Sequence, residues 1–317
     1  TFFLIPSIFI LKKTNFELVA SVILSLILIL FLSFGKIRLI DKNNSVLLND
    51  SFVIKIISSR IEIERFYNAE KEIDIVNQLI KLSKPNKNLS TVFIWPEGIF
   101  TSSFLEDIKK YKDLFEKNFQ NDDLIILGIN DIKYGVRNDI YNSLVILDNK
   151  LNIISLYHKN KLVPFGEFLP AENFLKKVGL RKVTNNYQSF SKGKVREIIN
   201  IKNLKILPLI CYEIIYSGKL SNNNNYDLII NISEDGWFGQ SIGPSQHFTH
   251  SIFRSIEEGK NIIRSSNNGT SALINYKGEI LKLKESTESG VIEVSYLEKS
   301  NKMTFFSKYK NNIFFYL

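Results

Sequence analysis

Short apolar runs rich in β-branched residues are spaced along the middle of the chain. "SFVIKII" (51–57), "TVFIWP" (91–96), "DLIILGI" (123–129), "LKILPLI" (204–210) and "DLIINIS" (227–233) are predicted to be buried strands. Helical stretches alternate with several of them, over 69–83, 104–119 and 245–262. "NSLVILDNKLNIISLYHK" predicts a hairpin turning at Asp148 and Asn149, and "SALINYKGEILKL" a second turning at Lys277 and Gly278. The pattern is that of an α/β domain from about residue 44 to 296, a mixed sheet covered by helices. No internal repeat interrupts it, and "NNNN" at 222–225 is a polar loop.

The two ends have a different character. Residues 16–34, "FELVASVILSLILILFLSF", carry one charged residue near their start. They approach the roughly 20 residues a helix needs to cross about 30 Å of hydrocarbon, so a transmembrane helix is expected there. A cleaved signal peptide would have a shorter apolar core, and would not follow another apolar stretch such as "TFFLIPSIFIL". At the other end "MTFFSKYKNNIFFYL" turns apolar and aromatic. The expected organisation is therefore a membrane region over 1–43, holding the end of one span and then the helix at about 16–34. A globular domain over 44–296 follows, and 297–317 form a linker and the start of a C-terminal span. With no initiator Met and an abrupt end, the chain reads as a fragment of a polytopic protein lacking most of its N-terminal spans. Lys12 and Lys13 balance Lys36 and Arg38 across the helix, which leaves its orientation open.

Composition narrows the function classes. With 317 residues and 44% hydrophobic content the chain has ample material for a core, which excludes a disordered protein. A single cysteine cannot form an intrachain disulfide, so the compartment has to come from topology. The net charge of +9 raises the possibility of nucleic acid. The lysines are scattered among Asn and Ile, however, with no basic helix and no aromatic RNA-binding signature. No nucleic-acid partner is expected, and the charge suits an anionic bilayer surface better. No Gly-rich phosphate loop follows the first strand, so no nucleotide cofactor is expected. His247 and His250 sit three apart on a predicted helix, but no Cys or carboxylate pattern completes a ligand set, and no metal is expected.

The lone Cys211 closes the run "ILPLI" and precedes Tyr212 and Glu213. A cysteine after an apolar strand is more often a small buried hydrophobe than a nucleophile. Its position changes that reading: where a strand ends and turns into helix, an elbow exposes the side chain beside backbone N–H groups able to stabilise an oxyanion. A thiol is mostly protonated at neutral pH, so it also needs a base and a cation. Two further strand ends offer them, Glu97 after "VFIWP" and Lys159 after "ISLYH". Alone, these are a loop carboxylate and a surface lysine. Together with Cys211 they are what a sheet presenting an active site along one edge supplies.

Around these residues, "WPEG" (95–98), "YHKNKLVPFGEFLP" (157–170), "ICYE" (210–213), "DGWFGQSIGPSQH" (235–247) and "RSSNNGTSALI" (264–274) resemble the nitrilase-type domain of the apolipoprotein N-acyltransferase family. They occur in the family's order and the resemblance extends through nearly all of 44–296. It implies an α/β fold, a nitrilase-type αββα sandwich attached to transmembrane helices, with a Glu-Lys-Cys triad at Glu97, Lys159 and Cys211. Lys161 competes with Lys159, which is preferred because it lies eight residues before Glu167, as the family pattern places its lysine. Glu167 would be a second carboxylate orienting Lys159 or the thiol. Tyr212 and Glu213 would shape the site, the Tyr212 N–H serving as oxyanion donor. Trp237 and Phe238, between glycines, would form a mobile loop that dips into the membrane interface or gates acyl chains; simple core packing is the competing reading, as it is for Phe165 and Phe168. Glu234 stands where the family would have Asn and adds a charge near the site.

The resemblance further implies a multi-pass enzyme of the bacterial inner membrane, its catalytic domain facing the periplasm, that completes lipoprotein maturation. Cys211 would take an acyl chain from a phospholipid, phosphatidylethanolamine by resemblance, and pass it from a thioester to the N-terminal amine of a diacylglyceryl-cysteine apolipoprotein in a ping-pong cycle. Both substrates live in the bilayer, which accounts for membrane helices on a nitrilase-like domain. Two other readings stay open: a membrane-anchored nitrilase-type amidase that gives its thioester to water, and a non-catalytic lipid-binding scaffold. An intact set of Glu97, Lys159, Glu167 and Cys211 weighs against the scaffold.

Overall fold

The apolar run near the N-terminus folds as helix α1 (Asn15–Ile40) in a computed structural model of the chain. The described residues are 15–40, 44–47, 52–67, 71–86, 88–136, 138–171, 189–221, 223–299 and 303–315. The chain divides into two compact units, Thr1–Asn43 and Asn44–Leu317. In the first, the stretch Val19–Ile37 has a mean hydropathy of 2.3 and is the one helix among the described residues long and apolar enough to cross a membrane. Leu30, Phe31, Leu32 and Phe34 stand exposed on it. The span expected to end near residue 11 lies outside the described residues.

The second unit is built on two sheets. The first has the order β13-β2-β3-β4-β5-β6, from Gly290–Val294, Val53–Ser58, Thr91–Ile94, Leu124–Lys133, Asp139–Asp148 and Ile153–His158. The second has the order β12-β11-β10-β9-β8-β7, from Ile280–Lys284, Ser271–Ile274, Asn261–Asn267, Leu228–Glu234, Leu204–Ile210 and Ile199–Ile201. A separate antiparallel pair joins β1 (Asn44–Leu47) to β14 (Tyr296–Lys299). The inner faces of the two large sheets meet through alternate residues such as Ile54, Ile56, Ile94, Ile126, Ile206, Ile210, Ile230 and Ile232. On the outer face of the first sheet lie α2 (Glu72–Ser83) and α3 (Lys112–Asn118), packed through Val76, Leu79, Trp95 and Phe115. On the outer face of the second lies α4 (Gly243–Glu258), whose Phe248 and Ile252 cover Leu207, Leu209 and Ile229. The layers are α, β, β, α, as the family resemblance implied; the strand pattern by itself predicted one mixed sheet, where the structure has two.

The five predicted strands are present, and the corrections concern their surroundings. The helix expected over 245–262 stops at Glu258, where Gly259 takes a left-handed φ of +65°. Residues 261–267 form β10 instead, parallel to β9. All seven of its residues are buried, so Arg264, Ser265 and Ser266 turn inward and hide the apolar signature of a central strand. The stretch 104–119 opens as a 3-10 helix, Leu105–Tyr111, before α3 begins. The first hairpin turns over 149–152 rather than at Asp148 and Asn149, with Leu151 at φ +59°. Asp148 Oδ1 accepts from the N–H groups of Lys150 and Asn152 at 2.8 Å each and so closes the wider turn. Residues 303–315 hold a short helix, α5 (Phe305–Tyr309), capped by Thr304 and tied down by Asn311 Nδ2 donating to Ser217 O at 3.0 Å.

Strand direction positions the site. β2, β3 and β4 are parallel, β5 is antiparallel to β4 and β6 to β5, so β6 ends at the same edge as β3. In the other sheet β8, β9 and β10 are parallel. The carboxyl edges meet: Ser59 bridges Asn267, and the Glu234 N–H donates to Glu97 Oε2 at 3.0 Å. Gly128 on β4 permits the approach, since a Cβ there would lie 2.8 Å from the Cα of Glu97.

Beneath this edge Glu72 of α2 anchors residues 102 and 103, accepting from Ser102 N and Oγ at 2.8 Å, Ser103 N at 3.1 Å and Tyr111 Oη at 2.6 Å. Burial would raise its pKa, but the hydrogen bonds from Ser103, Tyr111 and Ser102 prevail and bring it from the ordinary 4.5 to about 2. A depressed carboxylate contributes stability above its unfolded pKa and loses it as pH falls through the folded value. Stability followed by urea unfolding should therefore decline between about pH 4.5 and about pH 2, and Glu72→Gln should flatten that decline while lowering stability at pH 7.

Candidate active site

The chain leaves β8 at Ile210 and turns at once into a 3-10 helix, Cys211–Ile215. Cys211 sits at the corner with φ +47°, in the left-handed region that costs a non-glycine residue about 1–3 kcal/mol. Glu213 holds the corner. It is fully buried, and its Oε2 accepts from Ile210 N at 3.0 Å. Its Oε1 accepts from Tyr157 Oη at 2.7 Å, from Asn160 N and Lys161 N at 3.0 Å, and from Arg196 at 2.6 Å. One carboxylate thus staples the Cys211 elbow of one sheet to the end of β6 in the other.

Lys159 follows β6, its N–H donating to Asn142 O on β5 at 2.8 Å. Its side chain is 1% exposed, with Nζ 2.9 Å from Glu167 Oε1 and 3.5 Å from Glu97 Oε1. Asn142 Nδ2 donates to both carboxylates at 2.7 Å. Glu167 Oε2 is fixed by Val163 N at 2.9 Å. Lys161, the competing lysine, contributes its N–H to Glu213 and places its Nζ 5.9 Å from the centre of the Tyr216 ring; it does not reach these carboxylates.

The electrostatics follow from this packing. Burial alone would lower the Lys159 pKa, but Glu167 and then Glu97 hold it well above the ordinary lysine range. For Cys211 burial raises the thiol pKa and Glu97 adds to the rise, while Lys159 opposes it. The resting thiol is protonated, flanked by a carboxylate able to take the proton and an ammonium able to stabilise the resulting charge.

Glu97, Lys159, Glu167, Cys211 and Tyr212 line one cavity of about 230 Å³. Its remaining wall is largely apolar and aromatic, with Phe66, Phe100, Phe190, Trp237 and Phe238 among the lining residues. Trp237 and Phe238, each 38% exposed, belong to this wall and not to the core. Trp237 packs on Phe66 with ring centroids 4.9 Å apart. Glu213 stands behind the cavity, Phe165 is exposed and Phe168 partly buried, and these three do not line it.

The charge of Glu234 is met by buried Arg65, which pairs with its carboxylate and donates to Gly98 O at 3.0 Å and Ile61 O at 3.1 Å. Asn267 Nδ2 and Gly236 N donate to the same carboxylate at 2.7 Å each, and Asn268 Nδ2 at 3.4 Å. An acidic residue fits because a cation 169 positions away in sequence reaches it. Asn142, Arg65, Phe66 and Arg196 are the participants that sequence reasoning missed. Asn142 alone left a trace, a polar residue within the apolar strand "YNSLVIL".

A family description for carbon-nitrogen hydrolases matches residues 67–296. Among curated proteins, the apolipoprotein N-acyltransferase of Rickettsia prowazekii is 37% identical over 238 residues, 73% of this chain and 47% of that protein. Those of Rhizobium rhizogenes and Rhodopseudomonas palustris are 32% and 31% identical, covering 68% and 78% of this chain and 42% and 48% of theirs. The chain thus spans about half the length of the curated relatives it matches. Among solved structures, a mutant amidase from Nesterenkonia sp. AN1 superposes with a TM-score of 0.57 at 11% identity, covering 86% of this chain and 99% of that one. A second structure of that amidase, described as of the nitrilase superfamily, gives 0.54 at 12%, covering 79% and 93%. This likeness is one of fold.

The Glu213 staple is testable by itself. Arg196→Met leaves a buried carboxylate uncompensated and should cost about 3–5 kcal/mol in urea unfolding; adding Glu213→Gln should return part of the loss.

Proposed function

The chain belongs to the carbon-nitrogen hydrolase family, and from that premise we propose that it carries the acyl-transfer site of an apolipoprotein N-acyltransferase. The observation that carries the reading is the meeting of Cys211, Lys159, Glu97 and Glu167 in one cavity whose remaining wall is mainly aromatic and apolar. A small polar amide needs no such wall, whereas an acyl chain does. The similarity to curated proteins of that name over two thirds or more of this chain supports the same substrate class.

In the first half-reaction Glu97 takes the thiol proton as Cys211 Sγ attacks an ester carbonyl of a phospholipid, with phosphatidylethanolamine the proposed donor. The Lys159 ammonium and the Tyr212 N–H receive the charge that develops on the carbonyl oxygen. When the tetrahedral centre collapses, the ester C–O bond breaks, the Glu97 proton goes to the departing alkoxide, and lysophospholipid leaves an acyl thioester behind. In the second half the α-amine of a diacylglyceryl-cysteine apolipoprotein attacks the thioester and gives its proton to Glu97. The C–S bond then breaks, the proton passes from Glu97 back to the Cys211 sulfur, and an amide is released. Glu167 and Asn142 keep Lys159 and Glu97 in place through both halves.

The membrane setting belongs to the same proposal. Residues 1–43 serve as a membrane region and 44–296 as the catalytic domain, with 297–317 leading toward a further span. The enzyme is multi-pass in the bacterial inner membrane, and the domain faces the periplasm. The apolar, exposed surface of α1 supports the membrane region. Trp237 and Phe238, at the exposed end of the cavity wall, are the proposed lipid-facing residues.

Intact-mass spectrometry of the full-length, detergent-solubilised protein incubated with phosphatidylethanolamine tests the reading. The expected result is a hydroxylamine-sensitive gain of one acyl chain, discharged by a diacylglyceryl-cysteine peptide and absent from Cys211→Ala. Lys159→Met should slow adduct formation by ~100-fold or more. Hydrolysis of small amides with no adduct from the phospholipid would replace the acyltransferase by the amidase.

A further inference from the structure

A buried cluster directly behind the nucleophile has no part in the chemistry above. His247, near the start of α4, sets its Nδ1 2.8 Å from Asp235 Oδ1 and its Nε2 3.2 Å from the carbonyl oxygen of Cys211. Asp235 is held in turn by Arg264, whose Nη2 donates to its two oxygens at 3.0 and 2.7 Å, and by Ser233 Oγ at 2.7 Å. Arg264 also donates to Asn231, whose Nδ2 lies 3.4 Å from the same Cys211 carbonyl. His247 is 3% exposed and Asp235 and Arg264 are wholly buried. None of the three lines the cavity, so the cluster sits where it can act on the elbow but not on substrate.

Nε2 meets a carbonyl oxygen, whereas Nδ1 meets both the Asp235 carboxylate and the Arg264 guanidinium. Burial would raise the Asp235 pKa, but Arg264, followed by His247 and Ser233, holds the carboxyl well below the usual carboxylate range, so it is ionised. A carbonyl oxygen only accepts. A proton on Nε2 satisfies the carbonyl contact, whereas a ring protonated at Nδ1 alone sets the Nε2 lone pair against the Cys211 oxygen. The other charged or titratable groups near the ring are Arg264 on β10, with Nη2 3.1 Å from Nδ1, and His250 one turn along α4.

We propose that His247 is a positioning residue for acyl transfer: its Nε2–H, donated to the Cys211 carbonyl, fixes the Cys211–Tyr212 peptide and polarises it so that the Tyr212 N–H binds the developing oxyanion. The peptide is a single conjugated unit, so a donor at its oxygen strengthens its N–H as a donor. The corner needs such a restraint because Cys211 is held at φ +47°, a conformation it would leave if free. The inference rests on Cys211 being the nucleophile.

Asparagine and glutamine separate the two hydrogen bonds of the ring. His247→Asn places an amide where Nδ1 stood and keeps the Asp235 contact; His247→Gln places one where Nε2 stood and keeps the donor to the Cys211 carbonyl. Two reactions of the full-length, detergent-solubilised protein are compared: the burst of p-nitrophenolate from p-nitrophenyl butyrate, which passes through an oxyanion, and alkylation by iodoacetamide, which does not. His247→Asn should slow the burst by ~10- to 100-fold with KM unchanged, less than the roughly 100- to 1,000-fold of losing an oxyanion donor outright, and leave alkylation unchanged. His247→Gln should recover most of the burst. Equal loss of burst in both variants, or a wild-type burst in His247→Asn, overturns the inference while leaving the nucleophile in place. No burst in the wild-type protein overturns the nucleophile reading and this inference with it. An independent readout that needs no variant at position 247 is the ¹⁵N spectrum of the three histidines, assigned with His158→Asn and His250→Asn. A proton on Nε2 of His247 is expected, and a ring protonated at Nδ1 alone overturns the proposal.

Discussion

An ammonium group at 1% exposure between two carboxylates is the constraint on which the rest of this site depends. Removing Lys159 from water costs several kcal/mol, and the cost is offset only if the counter-charges stay within contact distance. That requirement ties together the ends of β3, β5 and β6, because Glu97, Asn142 and Lys159 come one from each. The backbone bond from Lys159 to Asn142 and the paired bonds of Asn142 Nδ2 to Glu97 and Glu167 make the arrangement rigid. An apolar filling of the same volume would serve stability as well or better. What the charged version supplies is a fixed positive charge facing the thiol of the opposite sheet.

The opposite sheet answers with a strained corner. A left-handed cysteine at the end of β8 persists because surrounding contacts over-determine it. Glu213 grips the peptide before the corner and the loop after β6 at once, so the distance between the two sheets and the conformation of Cys211 are set by one carboxylate. Arg65 and Glu234 do a similar thing on the other side. Arg65 binds Gly98 O beside Glu97, and Glu234 donates its N–H to Glu97 itself. Arg65 also lies 4.5 Å from the centre of the Phe66 ring, which packs on Trp237. The aromatic end of the cavity and the carboxylate inside it therefore share a support.

The chemistry and the cavity wall are matched. Apolar surroundings raise the thiol pKa and keep the resting cysteine protonated, which in the proposed reaction protects it until Glu97 and Lys159 act in concert on a bound ester. The same surroundings exclude water from a thioester, whose useful fate in this reading is attack by an amine.

Some of this was legible in the sequence because it is encoded locally. Strand runs of Ile, Leu and Val report burial on both faces of a central strand whatever packs against them, and five of them, with the first hairpin, outlined a mixed sheet covered by helices, though not its division into two. Glu97, Lys159 and Cys211 each stand where such a run ends, so their placement at sheet edges could be read off directly. β10 could not: its seven buried residues include Arg264, Ser265 and Ser266, and a strand whose polar residues face partners inside the protein resembles the end of a helix or a loop. Glu234 stood out as a misplaced charge and Arg65 as nothing at all, because the pair is joined across 169 residues. Strand positions, the turn after β8 and the residues at the strand ends depend on neighbours along the chain and are therefore written in the sequence. Which polar residues are satisfied, and by whom, is written in no local stretch, since a buried charge or amide is defined by partners that folding brings from distant segments.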